Sequence, residues 1–458
     1  MLFANGQFLI FLPIFIIIYY VIPSRLQKYV LLGGSLFFAY CQSLWTLIAV
    51  IVFAFISYIY SCIYDKVLRY KNVYIIATVI ILVAIMITSR ILNIALLGIS
   101  FYTLRVIGYV VDVHKEQKVD NSLFDNFLFV SYFPLLTAGP IEKSGRLFAE
   151  FAFPKSFNEK RAYKGFIYLI IGYFMKYVIA DRSAVIVDAV YSEYSGLAGS
   201  ICLIAVLMYS IQIYSDFGGY SYIAIGISEI LGISICENFR RPYLSENFKD
   251  FWQRWHISLS TWLRDYIYIP LGGNRKGFVR KEINILLTFL VSGIWHGQGV
   301  HFVVWGIIHG TYRVIEDIKN KLYKYGDSNS RAIQIVRTVI TFLLISFAWI
   351  FFRASDTKQA LGIIGHMLTD FRPSCLINGD VFLLGWGRLQ VCGIILACIV
   401  LFVFEILVEK NNLSFEHFSS LSSSKRNIIC YIFLTWIVIS LVQIYGMGQE
   451  TGFIYANF

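Results

Sequence analysis

Apolar runs recur from one end of the chain to the other, at 8–22, 44–63, 73–88, 166–179, 201–213, 283–295, 339–352, 391–408 and 428–444. Several approach the roughly 20 residues that an α-helix needs to cross a hydrocarbon core, and the shorter ones suit tilted, broken or re-entrant segments. Charged residues are 15% of the 458, against roughly 25% in ordinary soluble domains. These runs predict an all-α, polytopic membrane helical bundle with about 9–12 crossings, plus re-entrant or interfacial helices. A basic leader and a small-residue cleavage site near 19–24 are both missing, so the first run reads as a retained helix.

The polar breaks between runs are short, and neither a linker nor a fixed-period repeat divides the chain; a single membrane-embedded domain over 1–458 is expected. The net charge of +11 suits cytoplasmic loops that orient a membrane protein better than a nucleic-acid surface. The basic clusters at 142–164 and 313–337 are the expected cytoplasmic loops. Aromatic residues at run edges (Tyr19, Tyr20, Tyr40, Trp45, Tyr58 and Tyr60) are expected in interface belts. The eight cysteines are scattered, mostly in apolar runs, with no C-x-x-C or metal-type spacing; they read as small core hydrophobes, and no metal is expected.

One stretch breaks this monotony, the polar-aromatic run ENFKDFWQRWHISLSTWLRDYIYIPL at 246–271. Phe248, Phe251, Trp252, Trp255, Leu259, Trp262 and Tyr266 recur in steps of three and four, which draws one stripe on an α-helix. Such an amphipathic helix would lie along the interface or dip in and return, with its tryptophans at headgroup depth. Pro270 would end it and Gly272-Gly273-Asn274 supply the turn. A connector without chemistry would carry the same stripe; His256, beside Arg254 and Trp255, tips the reading toward a site.

Forty residues after His256 comes His296, closing the apolar stretch ILLTFLVSGIWHG, and the segment 283–310 is singled out on its account. An imidazole in an apolar run marks a working site by default. Desolvation disfavours its charged form, and a neutral imidazole can take the proton of an alcohol attacking a thioester or ester. Gly293 and Gly297 would let backbone or substrate approach closely. The plainer alternative is a core histidine that bridges helices. His256 would orient a thioester, donate to a developing oxyanion, or hydrogen-bond at the interface. His301 and His309 follow His296 at spacings of five and eight, which do not share one helical face as metal ligands would. Gly218-Gly219, after Asp216, reads as a tight helix break lining a cavity rather than a phosphate cradle.

Taken together, GISFYTLRVIGYVVDV (98–113), YFPLLTAGPIEK (132–143), YSDFGGYSYIAIGISEILGISICENFRRPYL (214–244), FKDFWQRWHISLSTWLRDYIYIPLGGNRKG (248–277) and SGIWHG (292–297) resemble the membrane-bound O-acyltransferase family, and within it the bacterial branch that O-acetylates alginate, peptidoglycan and other exported glycans. The opening MLFANGQFLIFLP and closing GFIYANF match as well, so the likeness runs nearly end to end.

The resemblance implies a ring of helices around a central funnel or tunnel, with His296 as catalytic histidine and His256 as its upstream partner. Trp295, Arg254, Trp255, Asp216 and Asn238 are then candidates to line the substrate path. No bound cofactor is implied; the acyl donor would be acetyl-CoA or an acyl-carrier thioester. The partners would be an extracytoplasmic acetyltransferase or esterase-like protein and the bilayer of the bacterial cytoplasmic membrane. In this branch the tail ends in an F-I-Y-F-Q-F-like motif whose tyrosine is proposed to relay the acyl group. Tyr455 stands at that place, but Ala456 and Asn457 depart from the motif, and an aromatic tail docking at the interface is the other reading. Three functions follow: O-acetylation of an exported or cell-surface polysaccharide; D-alanylation of teichoic acids, disfavoured by the S-T-W-L-R-D at 260–265 and the GGNRKG turn; or a non-enzymatic transporter or scaffold in glycan export, disfavoured by the missing paired repeats.

Overall fold

Most apolar runs become helices, and a computed structural model describes residues 3, 5–94, 96–116, 122–322, 330–411, 423–446 and 453–454. Among these residues there are helices, turns and irregular connections but no strands. The helices are α1 (Gly6–Val21), α2 (Gln27–Gln42), α3 (Leu44–Tyr64), α4 (Lys71–Ile91), α5 (Ile99–Glu116), α6 (Leu123–Ser131), α7 (Ser144–Phe151), α8 (Glu159–Tyr173), α9 (Asp181–Glu193) and α10 (Gly199–Ile230). They continue with α11 (Phe248–Arg254), α12 (Ile257–Leu263), α13 (Phe278–His296), α14 (Val300–Leu322), α15 (Arg331–Arg353), α16 (Thr357–Thr369), α17 (Ser374–Ile377), α18 (Arg388–Asn411) and α19 (Ser423–Gly446). Tyr455, the candidate relay, lies outside the described residues, as do 323–329 of the second basic cluster.

Among the described residues six helices are long and apolar enough to cross a bilayer, spanning Leu44–Tyr64, Lys71–Ile91, Gly199–Ile230, Arg331–Arg353, Arg388–Glu409 and Ser424–Gly446. The apolar α1 is shorter, at 16 residues, so helices of spanning length among the described residues fall short of the roughly 9–12 crossings expected. The burial pattern of α4 shows why such a chain needs lipid: it turns Thr78, Leu82, Met86 and Ser89 inward and leaves Val73, Ile76, Ile80, Ile81 and Ile87 exposed. Small polar side chains satisfy themselves inside, Thr78 donating to the Tyr74 carbonyl at 2.9 Å and Ser89 to that of Met86 at 2.8 Å, while branched aliphatics face outward. The protein is a multi-pass membrane protein.

The chain folds into two compact units, one of 1–172, 220–237 and 452–458, the other of 173–219 and 238–451. In the first, the fully buried Arg105 of α5 donates to the carbonyls of Phe129 at 3.0 Å and of Leu135, satisfying backbone where the chain leaves α6. Gly165 and Gly226 lie where α8 meets the end of α10; a Cβ on Gly165 would sit 2.5 Å from the Gly226 oxygen, so only glycine permits that approach. Phe3 stacks on Tyr220 at 4.8 Å and Phe453 meets the same ring edge-on at 5.0 Å, so segments from near both chain ends dock on one tyrosine.

The second unit holds 246–271, and here the structure departs from the continuous amphipathic helix. The stripe is cut into α11 and α12 by an extended Trp255 and a left-handed His256 (φ 43°, ψ 54°). Local periodicity runs through the break because both pieces keep their apolar sides inward. Phe251, Trp255 and Leu259 are buried against protein rather than laid along a headgroup layer: Trp255 packs on Phe239 and Trp349 at 5.0 Å each. Asn247 caps α11, its side chain accepting from the Asp250 N–H at 2.8 Å. Gly272 and Gly273 have positive φ and form the expected turn.

Two further expectations change. Gly218-Gly219 do not break the helix, since α10 runs 32 residues through them; a Cβ on Gly218 would meet the Met175 methyl at 3.0 Å, so the glycine serves side-chain packing. Of the run-edge aromatics, Tyr40 and Trp45 are exposed as a belt requires, but Tyr19 and Tyr60 are buried.

Candidate active site

His296 ends α13, and the turn after it returns the chain as α14. The two helices meet at glycines: a Cβ on Gly293 would lie 2.4 Å from the Phe302 carbonyl oxygen, and one on Gly306 2.4 Å from that of Phe289. What approaches Gly293 closely is therefore the neighbouring helix. This packing sets Trp305 of α14 beside His296, with ring centroids 4.9 Å apart and edge-to-face. Trp295 at 4.7 Å and Phe352 of α15 at 5.1 Å complete an aromatic surround, and the imidazole is 2% exposed. Rings exclude water without supplying charge.

His256 is held differently. Phe217 of α10 meets it edge-on at 4.7 Å, and Trp295 lies 6.4 Å away, so the Trp295 indole neighbours both imidazoles. Its Nδ1 is 3.0 Å from Oδ1 of the buried Asn238, which also accepts from the Ser258 hydroxyl at 2.9 Å and the Ser258 N–H at 3.2 Å. The backbone is clipped on both sides of the break, Ile257 N–H to the Asn238 carbonyl and Arg240 N–H to the Arg254 carbonyl, each at 2.9 Å. Left-handed backbone at a non-glycine is strained and persists where the surroundings over-determine it, as these bonds do. Burial pushes the His256 pKa down to about 3, leaving a neutral imidazole.

The structure thus brings His256, His296, Trp295, Trp255 and Asn238 into one neighbourhood. Arg254 turns to carboxylates, Asp250 at 2.7 Å and Glu409 at 3.0 Å. Asp216, one residue before Phe217, has its carboxylate 2.7 Å from the ammonium of the fully buried Lys176, which also pairs with Asp181 at 2.7 Å. That triad escaped sequence reasoning, although a lysine inside the run 166–179 was the signal for it. Ser258 was missed too, two residues beyond a histidine already singled out. His301 Nδ1 donates to the Phe351 carbonyl at 2.9 Å, while His309 is enclosed by Trp252 at 5.1 Å and Trp305 at 4.9 Å. Among the described residues no group of three or more His, Cys, Asp or Glu side chains is placed to hold a metal ion.

Both histidines lie within residues 110–355, which match the family model described as MBOAT, membrane-bound O-acyltransferase family. The chain belongs to the membrane-bound O-acyltransferase family. It is 36% identical over 306 residues to the "Probable alginate O-acetylase AlgI" of Pseudomonas putida, covering 67% of this chain and 60% of that protein. It is 35% identical over 301 residues to the peptidoglycan O-acetyltransferase of Helicobacter pylori, covering 59% and 56%. The teichoic acid D-alanyltransferase of Bacillus subtilis matches at 31% over 278 residues, covering 57% and 69%. The matched region therefore spans less than two thirds of the first two relatives' length.

Proposed function

We propose that this protein is an O-acetyltransferase of the bacterial cytoplasmic membrane. It takes an acetyl group from a cytoplasmic thioester and passes it across the bilayer for esterification of an exported or cell-surface polysaccharide. The observation that carries this reading is the pair of buried imidazoles, His256 and His296, that neighbour the same indole in the family-matched region. His296 is the base: its lone pair takes the hydroxyl proton as the oxygen attacks the thioester carbonyl. A C–O bond forms, the C–S bond breaks, and the proton passes on to the departing thiolate. The aromatic surround favours transfer over hydrolysis by keeping water from the thioester.

The donor is acetyl-CoA or an acyl-carrier thioester, and an extracytoplasmic acetyltransferase or esterase-like protein is the expected partner on the far side. Tyr455 is the candidate relay between them, tested by trapping an acyl-tyrosine; a fully active Tyr455→Phe variant would dispose of that role. For the whole function, His296→Ala is compared with wild type at matched membrane levels, reading ester-linked acetate on the surface polysaccharides. Acetate should be lost; unchanged acetate would refute the reading. Similarity to the D-alanyltransferase motivates a second reading, esterification of teichoic acids with D-alanine. Incorporation of labelled D-alanine that depends on His296 would select it.

A further inference from the structure

The hydrogen bonds around Asn238 decide more than a position. Three groups converge on its Oδ1: the Ser258 backbone N–H, the Ser258 hydroxyl and the His256 Nδ1. A backbone N–H can only donate, so the amide atom facing it must be the oxygen, which fixes the orientation of the Asn238 side chain. That oxygen can only accept, so the His256 nitrogen opposite it must carry a hydrogen. In a neutral imidazole the proton then sits on Nδ1, and Nε2 holds the lone pair.

We propose that Asn238 is a positioning residue that locks His256 in the Nδ1–H tautomer, so that His256 meets its substrate group as a hydrogen-bond acceptor through Nε2. This rests on the acyl-transfer reading and narrows it. Of the roles open to His256, donation to a developing oxyanion is removed, because its ring hydrogen is already given to Asn238. The group it receives is an O–H or N–H of a substrate, and His296 remains the residue that takes the reacting proton. Asn238 is therefore part of the scaffold behind the imidazole and not part of the wall of the substrate path. It also explains the strained backbone: the left-handed turn at His256 is what lets one residue's ring and the hydroxyl and N–H of Ser258 reach the same oxygen.

The elements packed on His256 present mostly rings: Phe217 from α10, Phe239 from the segment before α11, and Trp295 from α13. Their titratable neighbours in the chain are Asp216, paired with Lys176; His296, ringed by Trp295, Trp305 and Phe352; and Arg254, paired with Asp250 and Glu409. A carboxylate placed at 238 would thus be a new charge against the ring.

The test uses the full-length protein in membranes, with Asn238→Asp, Asn238→Leu, His256→Gln and His296→Ala. Asn238→Leu should lower kcat on the order of 10- to 100-fold, as loss of a residue that orients an active-site ring typically does. Asn238→Asp keeps an acceptor for all three hydrogens and should restore activity over Leu. Its carboxylate stabilises the imidazolium, so the acid limb of its pH–rate profile should move to higher pH. Nitrogen NMR of histidine-labelled wild type, with His256→Gln identifying the signal, should show the Nδ1–H form of the neutral ring. An Nε2–H form, or an Asn238→Asp profile superimposable on wild type, overturns the proposal. Full activity in His296→Ala would instead overturn the acyl-transfer reading, while the tautomer seen by NMR would still judge the Asn238 assignment.

Discussion

His256 and His296 both neighbour the Trp295 ring, and the contacts that surround them differ. His256 is fixed by hydrogen bonds, its Nδ1 at Asn238 and its backbone clipped on both sides of a left-handed turn. His296 is the last residue of a helix, with the rings of Trp305 and Phe352 against it. Hydrogen bonds choose a tautomer as well as a place; ring packing fixes a place and removes water. A ring with its tautomer already chosen suits recognition. One enclosed by rings that keep water out suits a base acting on a thioester.

Four experiments break or sharpen that contrast. The largest effect is expected at His296: His296→Ala should lower transfer by about 10²- to 10⁴-fold, the range for loss of a general base. A His256→Ala/His296→Ala double variant should be scarcely worse, because groups that act on one step are not additive. An effect equal to the product of the two single losses would mean that the imidazoles serve separate steps. Next comes the aromatic surround. Trp305→Ala should cost about 3–5 kcal/mol of stability as a large buried ring is lost, and Trp305→Phe much less, read from unfolding in detergent. Equal losses would show that an indole-specific contact, not volume, holds His296.

Ser258→Ala should be milder. It removes one donor to Asn238 while leaving the Ser258 N–H and His256 in place, and should cost roughly 1 kcal/mol, measured the same way. The last effect is a pH dependence of stability. With its pKa depressed by burial, folded His256 stays neutral where the unfolded chain takes up a proton. Stability should therefore fall as pH drops from about 6.5 toward 3, with His256→Gln flattening the slope, and be unaffected by this group above neutrality. A slope unchanged by that substitution would place the acid sensitivity elsewhere.

The parts of the fold written locally were legible. The run at 44–63 is α3 and that at 73–88 lies within α4, because a long apolar stretch in lipid has little choice but to be helical. The glycine turn at 272–273 likewise follows from residues that tolerate positive φ. What sequence could not give depends on partners far along the chain. The break at His256 is held by Asn238, 18 residues earlier, and three-four periodicity carries no trace of it. Gly218 is set against Met175, and the Lys176 ammonium joins carboxylates 5 and 40 residues away. Of the candidate site residues, the histidines were found because titratable groups in apolar runs stand out. Ser258 was not, because a serine beside them does not.

Whether His296 moves an acetyl group through the membrane can be measured directly. Purified protein is reconstituted in sealed vesicles, with a labelled acetyl thioester on one face and a polysaccharide acceptor with the proposed extracytoplasmic acetyltransferase on the other. Wild type should place label on the acceptor as an alkali-labile ester, and His296→Gln should place none while the vesicles remain sealed. Equal label from both proteins would contradict the central assignment.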